Sequence, residues 1–228
     1  MCNLRGDLAK VSPSYFPSTL CGEVIFLNQT LSINLSLTLE KTLIQIFYQL
    51  LSKGFIIYTQ TGCTVKELLC GQLGIKDDYL EERIQTIFLD HKTVDDVDSS
   101  VIGTESILSL SAAMPGLLGA TLRKGGWSAP MRRQISHDTD IAPDTSKKGE
   151  VTIKLFNLIT RELGPLFLDQ GVCVKGEDFF DIVARNENVF MAGCTKAGMD
   201  GNDMVPEKLM QVEWKDKQVL LQIKIPKD

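Results

Sequence analysis

The chain has 228 residues, 43% of them hydrophobic and 23% charged, and a net charge of −5. These values are typical of a globular protein with one large domain or two small ones, and they exclude bulk disorder. The acidic balance argues against a nucleic-acid partner, because phosphate binding needs many cations. No apolar run approaches the ~20 residues of a membrane-spanning helix, so no membrane partner is expected.

The N-terminal residues indicate the compartment. Residues 1–20 contain no continuous apolar stretch and include Asp7, unlike a signal peptide, so we expect a cytoplasmic protein. Reduced thiols are then expected for the six cysteines. No C-x-x-C pair occurs among them, and nothing therefore supports a zinc ribbon or a thioredoxin-type site.

Taken in order, the first elements alternate between strand and helix. Residues 1–19 show no clear period and are predicted to be an N-terminal arm, and "GEVIFLNQTLSINLSL", 22–37, predicts a strand or hairpin. Leucine, isoleucine and phenylalanine recur at helical spacing in 38–54, which predicts a helix with Thr38 as its N-cap and Gly54 after its end. "FIIY", which follows, predicts a buried strand.

A compact group of signals comes next. Thr64 and Glu67 form a capping-box pattern at the start of a helix over 64–74. "IQTIFLDHKTVDD", 84–96, predicts a strand, a tight turn at Asp90–His91 and a short return strand. "SILSLSAAM", 106–114, predicts another strand. We expect Phe47, Leu50, Leu68, Leu69, Ile87 and Leu110 to be buried together.

The order of these signals resembles a known family. "TVKELL" at 64–69, the strand–turn–strand "TIFLDHKTVDD" and a strand leading to glycines resemble the β-grasp sulfur carriers of thiamin and molybdopterin biosynthesis, which have a ubiquitin-like fold. The resemblance covers roughly residues 55–119. It implies a β-grasp-like mixed sheet packed on helices.

The chain departs from this family at its glycine tail. The family's chemistry resides in a free C-terminal Gly-Gly carboxylate, which a partner enzyme activates. Here Gly125–Gly126 is internal and Trp127 follows. The resemblance therefore implies a sulfur carrier only if the chain is cut after Gly126.

A second, smaller α+β unit is predicted after a polar, turn-rich linker. Residues 151–164 are expected to begin as a strand or as the start of a helix and to run into a helix that Gly164–Pro165 interrupts. A short strand at 171–174, a helix at 178–185 and a hairpin over 208–225 turning near Lys215–Asp216 complete the unit. The predicted boundaries are an arm at 1–19, a β-grasp-like domain at 20–127, a linker at 128–149 and the α+β domain at 150–228.

The two units share an order of elements. "YQLLSKGFII" in the first resembles "PLFLDQGVCV" in the second, and a short helix follows each. One interpretation is an internal duplication. The other is that helix–glycine–strand is a common connection.

The segment "AAMPGLLGATLRKGGWSAPMRR", 112–133, is the main candidate site. Glycine-rich backbone and cations can form an anion site, with Arg123, Lys124, Arg132 and Arg133 as ligands, or they can be a solvated basic linker. The apolar residues favour a second role, which is packing on the other domain or on a partner. The packing residues would be Met114, Leu117, Leu118 and Trp127, with Trp127 largely buried.

Other chemistry finds little support. Asp95, Asp96 and Asp98 could bind a metal, but three acids in a turn are more often solvated. Cys63 or Cys194 could pair with a histidine, although His91 and His137 fall in a turn and a linker. Cys70 is expected to be a buried apolar residue. Dinucleotide and nucleophile motifs are absent, so we expect no cofactor, no metal and no catalytic residue.

The preferred function is therefore a non-catalytic cytoplasmic binding or scaffold protein. It would use its sheet face or the 114–127 segment to bind a protein partner or a second copy of itself. The alternative is a sulfur-carrier-like protein cut after Gly126, with Gly125 and Gly126 as its tail. A thiol enzyme using Cys63 or Cys194 is the third reading.

Overall fold

A computed structural model of the chain describes residues 32–127 and 147–226. Within these residues, ten strands form one mixed sheet with helices packed against it, which confirms the α+β class. The predicted N-terminal arm and most of the predicted linker lie outside the described residues. The linker's last residues, 147–149, belong to a strand.

The elements of the first half of the chain run as follows: β1 (Ser32–Leu39), a 3-10 helix (Lys41–Phe47) leading into α1 (Tyr48–Lys53), β2 (Phe55–Thr61), a π-helical segment (Glu67–Gln72), α2 (Asp77–Glu82), β3 (Thr86–Leu89), β4 (Lys92–Thr93), β5 (Ile107–Ser111) and α3 (Gly116–Leu122).

The second half comprises β6 (Lys147–Phe156), α4 (Asn157–Gln170), β7 (Val172–Lys175), α5 (Gly176–Arg185), α6 (Glu187–Gly193), β8 (Cys194–Met199), β9 (Asn202–Met204), a 3-10 helix (Pro206–Gln211) and β10 (Gln218–Lys224).

Two local predictions in the first half are confirmed in detail. The Thr64 amide donates to Glu67 Oε2 at 2.8 Å, and the Glu67 amide donates to Thr64 Oγ1 at 3.1 Å, which is the reciprocal capping box. Asp90 and His91 both have positive φ, 49° and 68°, at the turn between β3 and β4. Positive φ at both turn residues matches the twist of a two-residue hairpin.

The start of the first helix is wrong in the sequence prediction. Thr38 lies in β1, and the helix begins as a 3-10 turn at Lys41. Leu37 and Leu39 are buried and continue the inward alternation of β1 against its neighbouring strands. Sheet pairing thus takes residues that helical periodicity assigned to the helix.

Two predictions in the second half are also wrong. Helix α4 continues through Gly164–Pro165 to Gln170, because burial of Ile159, Leu163 and Phe167 outweighs the ~3 kcal/mol cost of an internal proline. Residues 206–211 form a 3-10 helix instead of the first arm of a hairpin. The Trp214 indole is buried and donates to the Leu209 carbonyl at 2.9 Å, which anchors this helix on the core.

The strand order in the sheet is β4-β3-β5-β6-β2-β7-β10-β1-β8-β9. Strand β6 lies between β5 and β2, and β1 lies between β10 and β8. The first strand of each half is therefore inserted among the strands of the other half. The two predicted units therefore share one sheet. At its centre β2 and β7 are neighbours, and Ile56 is paired there with Cys173.

One face of the sheet carries the core. The six residues predicted to be buried together are all at most 1% exposed and belong to one apolar cluster, which confirms that prediction: Phe47, Leu50, Leu68, Leu69, Ile87 and Leu110. Alternate positions on the central strands, such as Ile56, Tyr58 and Lys154, stay partly exposed on the other face. Helices α1 and α4 pack closely because residue 164 is glycine, and a Cβ there would lie 2.8 Å from Leu51 Cδ1.

Candidate interaction surface

The segment singled out in the sequence lies at one end of the sheet. Strands β5 and β6 are parallel, so both terminate at this end of the sheet, where Ser111 is paired with Phe156. Strand β3 is antiparallel to β5 and begins here, with the Gln85 amide donating to the Ser111 carbonyl at 3.1 Å. Helix α3 and the turn that follows it therefore leave the sheet where two strands end and a third begins.

Polar contacts anchor the turn after α3. The Lys124 amide donates to the Gln85 carbonyl at 2.7 Å, and the Gly125 amide donates to Asp95 Oδ1 at 3.3 Å. The Lys124 ammonium donates to the Leu80 carbonyl at 3.0 Å, and this side chain is only 10% exposed. These contacts fix the backbone path from α3 to Trp127.

The same contacts bear on the predicted anion site. Of its four cations, Arg123 and Lys124 lie at this turn, whereas Arg132 and Arg133 lie outside the described residues. The Lys124 ammonium, which also reaches Glu81 Oε2 at 3.4 Å, acts as a structural tie. Anion binding at this segment stays a prediction.

Two large apolar side chains project from this segment. Leu117 is 82% exposed and Trp127 is 79% exposed. The prediction that Trp127 is buried against the C-terminal unit is therefore wrong, because the anchored Gly125–Gly126 turn holds the indole away from the core. Burial against a second copy of the chain stays a prediction. Met114 is half-buried, and the side chain of Leu118 lies outside the described residues. Packing of these residues on a partner stays a prediction.

Two further exposed apolar residues at this end were missed. Phe156 is 38% exposed and Leu158 is 46% exposed, at the end of β6 and the start of α4. The Asn157 side-chain amide between them donates to Ser111 Oγ at 2.9 Å, which ties them to the end of β5. A signal was present, because Phe156 falls on the polar phase of β6. We call Leu117, Trp127, Phe156 and Leu158 the apolar end surface.

Three of the four described thiols, those of Cys63, Cys70 and Cys194, are poor candidates for nucleophiles. Burial, followed by the charge of Glu67, raises the pKa of Cys63. Burial and a hydrogen bond with Asp77 raise the pKa of Cys70 to about 12, and burial raises the pKa of Cys194 to about 11. A nucleophilic cysteine needs the thiolate, which these surroundings disfavour. His91 is exposed in its hairpin turn, and His137 lies outside the described residues.

We predict slow alkylation of these three thiols in the folded protein. Iodoacetamide labelling at neutral pH, followed by mass spectrometry, should modify Cys63, Cys70 and Cys194 far more slowly than in protein unfolded in urea. The reason is that only the thiolate reacts and burial disfavours it. A rate at Cys63 or Cys194 that exceeds the unfolded rate would revive the thiol-enzyme reading.

The carboxylates of the acidic turn after β4, at Asp95, Asp96 and Asp98, already make hydrogen bonds or an ion pair within the chain. Asp95 accepts from Gly125, Asp96 accepts from the Asp98 amide at 2.9 Å, and Asp98 pairs with Lys66 at 3.1 Å. Hydrogen bonds from Ser99 and from the Asp98 amide lower the pKa of Asp96. Across 32–127 and 147–226, no group of three or more histidine, cysteine or acidic side chains is arranged to hold a metal ion.

An ion pair ties the two halves together near the apolar end surface. Tyr79 Oη donates to Glu162 Oε2 at 2.7 Å, and the Arg83 guanidinium donates to both Glu162 oxygens. Burial raises the pKa of Glu162, but the hydrogen bonds from Arg83 and Tyr79 and the Arg83 charge outweigh it, so the net shift is downward. Burial and the Glu162 carboxylate raise the pKa of Tyr79.

This ion pair predicts a pH-dependent contribution to stability. A lowered carboxyl pKa in the folded state stabilises it above the unfolded pKa, and the contribution is lost as pH falls through the folded pKa. Glu162→Gln should therefore cost up to ~1 kcal/mol at neutral pH, since the pair is partly exposed, and less at about pH 3, below the ordinary carboxyl pKa. Urea unfolding at both pH values checks this, with the exposed Glu82→Gln as control. An equal cost at both values would contradict the assignment.

Comparison with known protein families, with curated proteins and with solved structures finds no match to this chain. The fold and the surface thus define it as an α+β protein with one continuous sheet and exposed apolar side chains at one end. Among the helices of residues 32–127 and 147–226, none has the length and apolar character needed to cross a membrane.

Proposed function

We propose that the chain is a non-catalytic cytoplasmic protein-binding module that binds its partner through the apolar end surface. The observation that carries the proposal is the exposure of Leu117 and Trp127, each more than three-quarters open to solvent. Contiguous apolar surface that is exposed to solvent is typical of interaction sites. Tryptophan also dominates binding energy at many interfaces.

The anchoring of the segment supports binding over random exposure. Hydrogen bonds from the Lys124 and Gly125 amides hold the turn before Trp127 on the sheet end. A side chain presented on a fixed backbone loses less conformational entropy when it binds. The surface is therefore organised before a partner arrives.

The scaffold in this proposal is a β-grasp-like arrangement of residues 55–119. The capped helix, the β3–β4 hairpin and β5 follow one another in the order of the resembling family, and Leu117 and Trp127 of the apolar end surface come after β5. Fold resemblance alone does not determine function, so the binding role depends on the surface itself.

The alternative, a sulfur carrier produced by cleavage after Gly126, has one observation in its favour. Gly125 and Trp127 are exposed, so a protease could reach the bond after Gly126. The Gly125 amide is, however, bound to Asp95. The intact mass of the protein purified from its native cell separates the two, because a species ending at Gly126 would support the carrier and a full-length species the binding module.

Site-specific photo-crosslinking tests the binding role. A diazirine amino acid placed at position 117 or at 127 and irradiated in the native cell should give the same single crosslinked species. Val189 provides a matched control, since it is 58% exposed on α6, away from the segment. Substitution of Trp127 by alanine should weaken the crosslink from 117 at least about tenfold, a change of ~1.4 kcal/mol. Identical products from 117 and 189, or none from 117, would refute the proposal.

A further inference from the structure

The two halves of the chain have the same order of elements. Each runs strand, helix, strand, two helical segments, a two-stranded hairpin and a last strand. Strands β1 to β5 thus correspond in order to β6 to β10. The additional elements, α3 and the 3-10 helix before β10, do not disturb this correspondence.

The first strand of each half is paired with the other half. Strand β6 is parallel to β5 from Ile107 with Thr152 to Ser111 with Phe156, and antiparallel to β2 along all of β2. Strand β1 is parallel to β10 and antiparallel to β8. Each first strand therefore runs parallel to the last strand of the opposite half, which makes the exchange reciprocal.

Helices α1 and α4 connect the exchanged strands to their own halves. Helix α1 follows β1 and leads to β2, and α4 follows β6 and leads to β7. The two helices pack on each other at Gly164, where a side chain would collide with Leu51. The chain thus crosses the middle of the sheet twice, once in each direction.

Removing either exchanged strand would leave its neighbours unpaired. Without β6, strands β5 and β2 would both lose backbone partners, and the core would lose Val151, Ile153 and Leu155, which are all fully buried. Unpaired buried backbone groups and lost apolar burial are both costly. Neither half therefore closes its own sheet.

We infer that the chain is a fused pair of strand-exchanged halves, which stay assembled as one folded protein when the connection between Trp127 and Lys147 is cut. Each half is the binding partner of the other, and the pairing of the exchanged strands holds the halves together without a covalent connection. This inference does not depend on the proposed binding role. It implies that proteolysis after the first half yields a two-chain protein whose new carboxyl end follows Trp127, while Phe156 and Leu158 of the apolar end surface lie in the other piece.

The experiment cuts the full chain after it has folded. A protease recognition sequence is inserted between residues 127 and 147, and the purified protein is cleaved. Two cysteine pairs report the exchange: Gln60→Cys with Lys148→Cys across β2 and β6, and Thr38→Cys with Lys196→Cys across β1 and β8. Each pair occupies directly opposed antiparallel positions, at a Cα separation suited to a disulfide.

We expect the cut pieces to elute together under native conditions and to separate in denaturant. After oxidation, each of the two pairs should hold both pieces in one band on a non-reducing denaturing gel. Lys175→Cys with Gln218→Cys, opposed across β7 and β10, is the matched control, because both positions lie in the second piece and should leave the pieces separate. The parent chain, treated alike, reports linkage by native cysteines.

Two results would overturn the inference. Separation of the pieces under native conditions would show that the connection holds the halves together. Co-elution without linkage by either reporter pair would show that each half retains its own first strand.

Discussion

Replacement of Phe47 by alanine should lower the free energy of unfolding by about 3–5 kcal/mol, the range for truncating a buried phenylalanine. Phe47 belongs to the first half, but its ring packs on two rings of the second. The ring centroids lie 6.1 Å from Phe179 and 6.3 Å from Phe190, and Phe47 is fully buried. The cavity would therefore open between the halves, where both contribute to one core.

Urea unfolding followed by two probes measures this effect. Far-UV circular dichroism reports unfolding of the whole chain. Fluorescence of Trp214 in a Trp127→Phe background reports unfolding of the second half, because the ring centroids of Trp214 and Phe179 lie 5.0 Å apart. If the halves form one cooperative unit, both probes should give the same midpoint and the same loss. Leu117→Ala is the control and should cost less than ~0.5 kcal/mol, since Leu117 is exposed. A loss below ~1 kcal/mol or two separate transitions would contradict the single shared core.

The sequence predicted the features that depend on residues close along the chain. The capping box of Thr64 and Glu67 needs only a spacing of three residues, and the β3–β4 turn needs only two adjacent residues that tolerate positive φ. The buried set around Leu68 and Leu110 follows from apolar periodicity. Such signals are local, so the order of elements can be anticipated residue by residue.

The errors arose where distant segments compete with local preference. Thr38 joins β1 because β10 and β8 are available on either side, and no local pattern contains that information. Trp214 could end a strand or anchor a 3-10 helix, and the core around Phe179 decides between them. The exchange of β1 and β6 is invisible in the sequence for the same reason, because alternation fixes a strand's buried face but not its neighbours.

The sequence singled out the segment that carries the exposed Leu117 and Trp127, but it did not indicate which way Trp127 points. Apolar residues among glycines predict a packing role for the segment. The anchoring of Lys124 to Gln85 and of Gly125 to Asp95, however, decides which way Trp127 points. Those anchors come from two distant turns. Phe156 completes the surface only because β6 lies beside β5, which again is a non-local pairing.

Replacement of Gly119 by alanine should weaken the proposed partner binding at least about tenfold while sparing the fold. An added Cβ would lie 2.0 Å from the Met114 carbonyl oxygen and 2.4 Å from its carbon, and both are backbone atoms that cannot rotate away. Helix α3 would have to move off residue 114, which strains the Lys124 contact with Gln85 and displaces Leu117. Few core residues lie on α3, so the melting temperature should change little.

The change in the free energy of unfolding shows whether α3 is held in place by residue 114. Alanine in place of a helical glycine ordinarily stabilises by about 0.5–1 kcal/mol, so a free α3 would become more stable. Gly71→Ala provides the matched control, because Gly71 is helical, has no positive φ and has no atom within 4 Å of an added Cβ. The yield of crosslinked product from a diazirine amino acid at position 127, relative to the same probe in the parent chain, should fall at least about tenfold for Gly119→Ala. It should stay unchanged for Gly71→Ala. A Gly119→Ala chain that is more stable and still crosslinks fully would mean that the partner binds exposed apolar side chains without needing α3 in place, and the role of the anchored backbone would be lost.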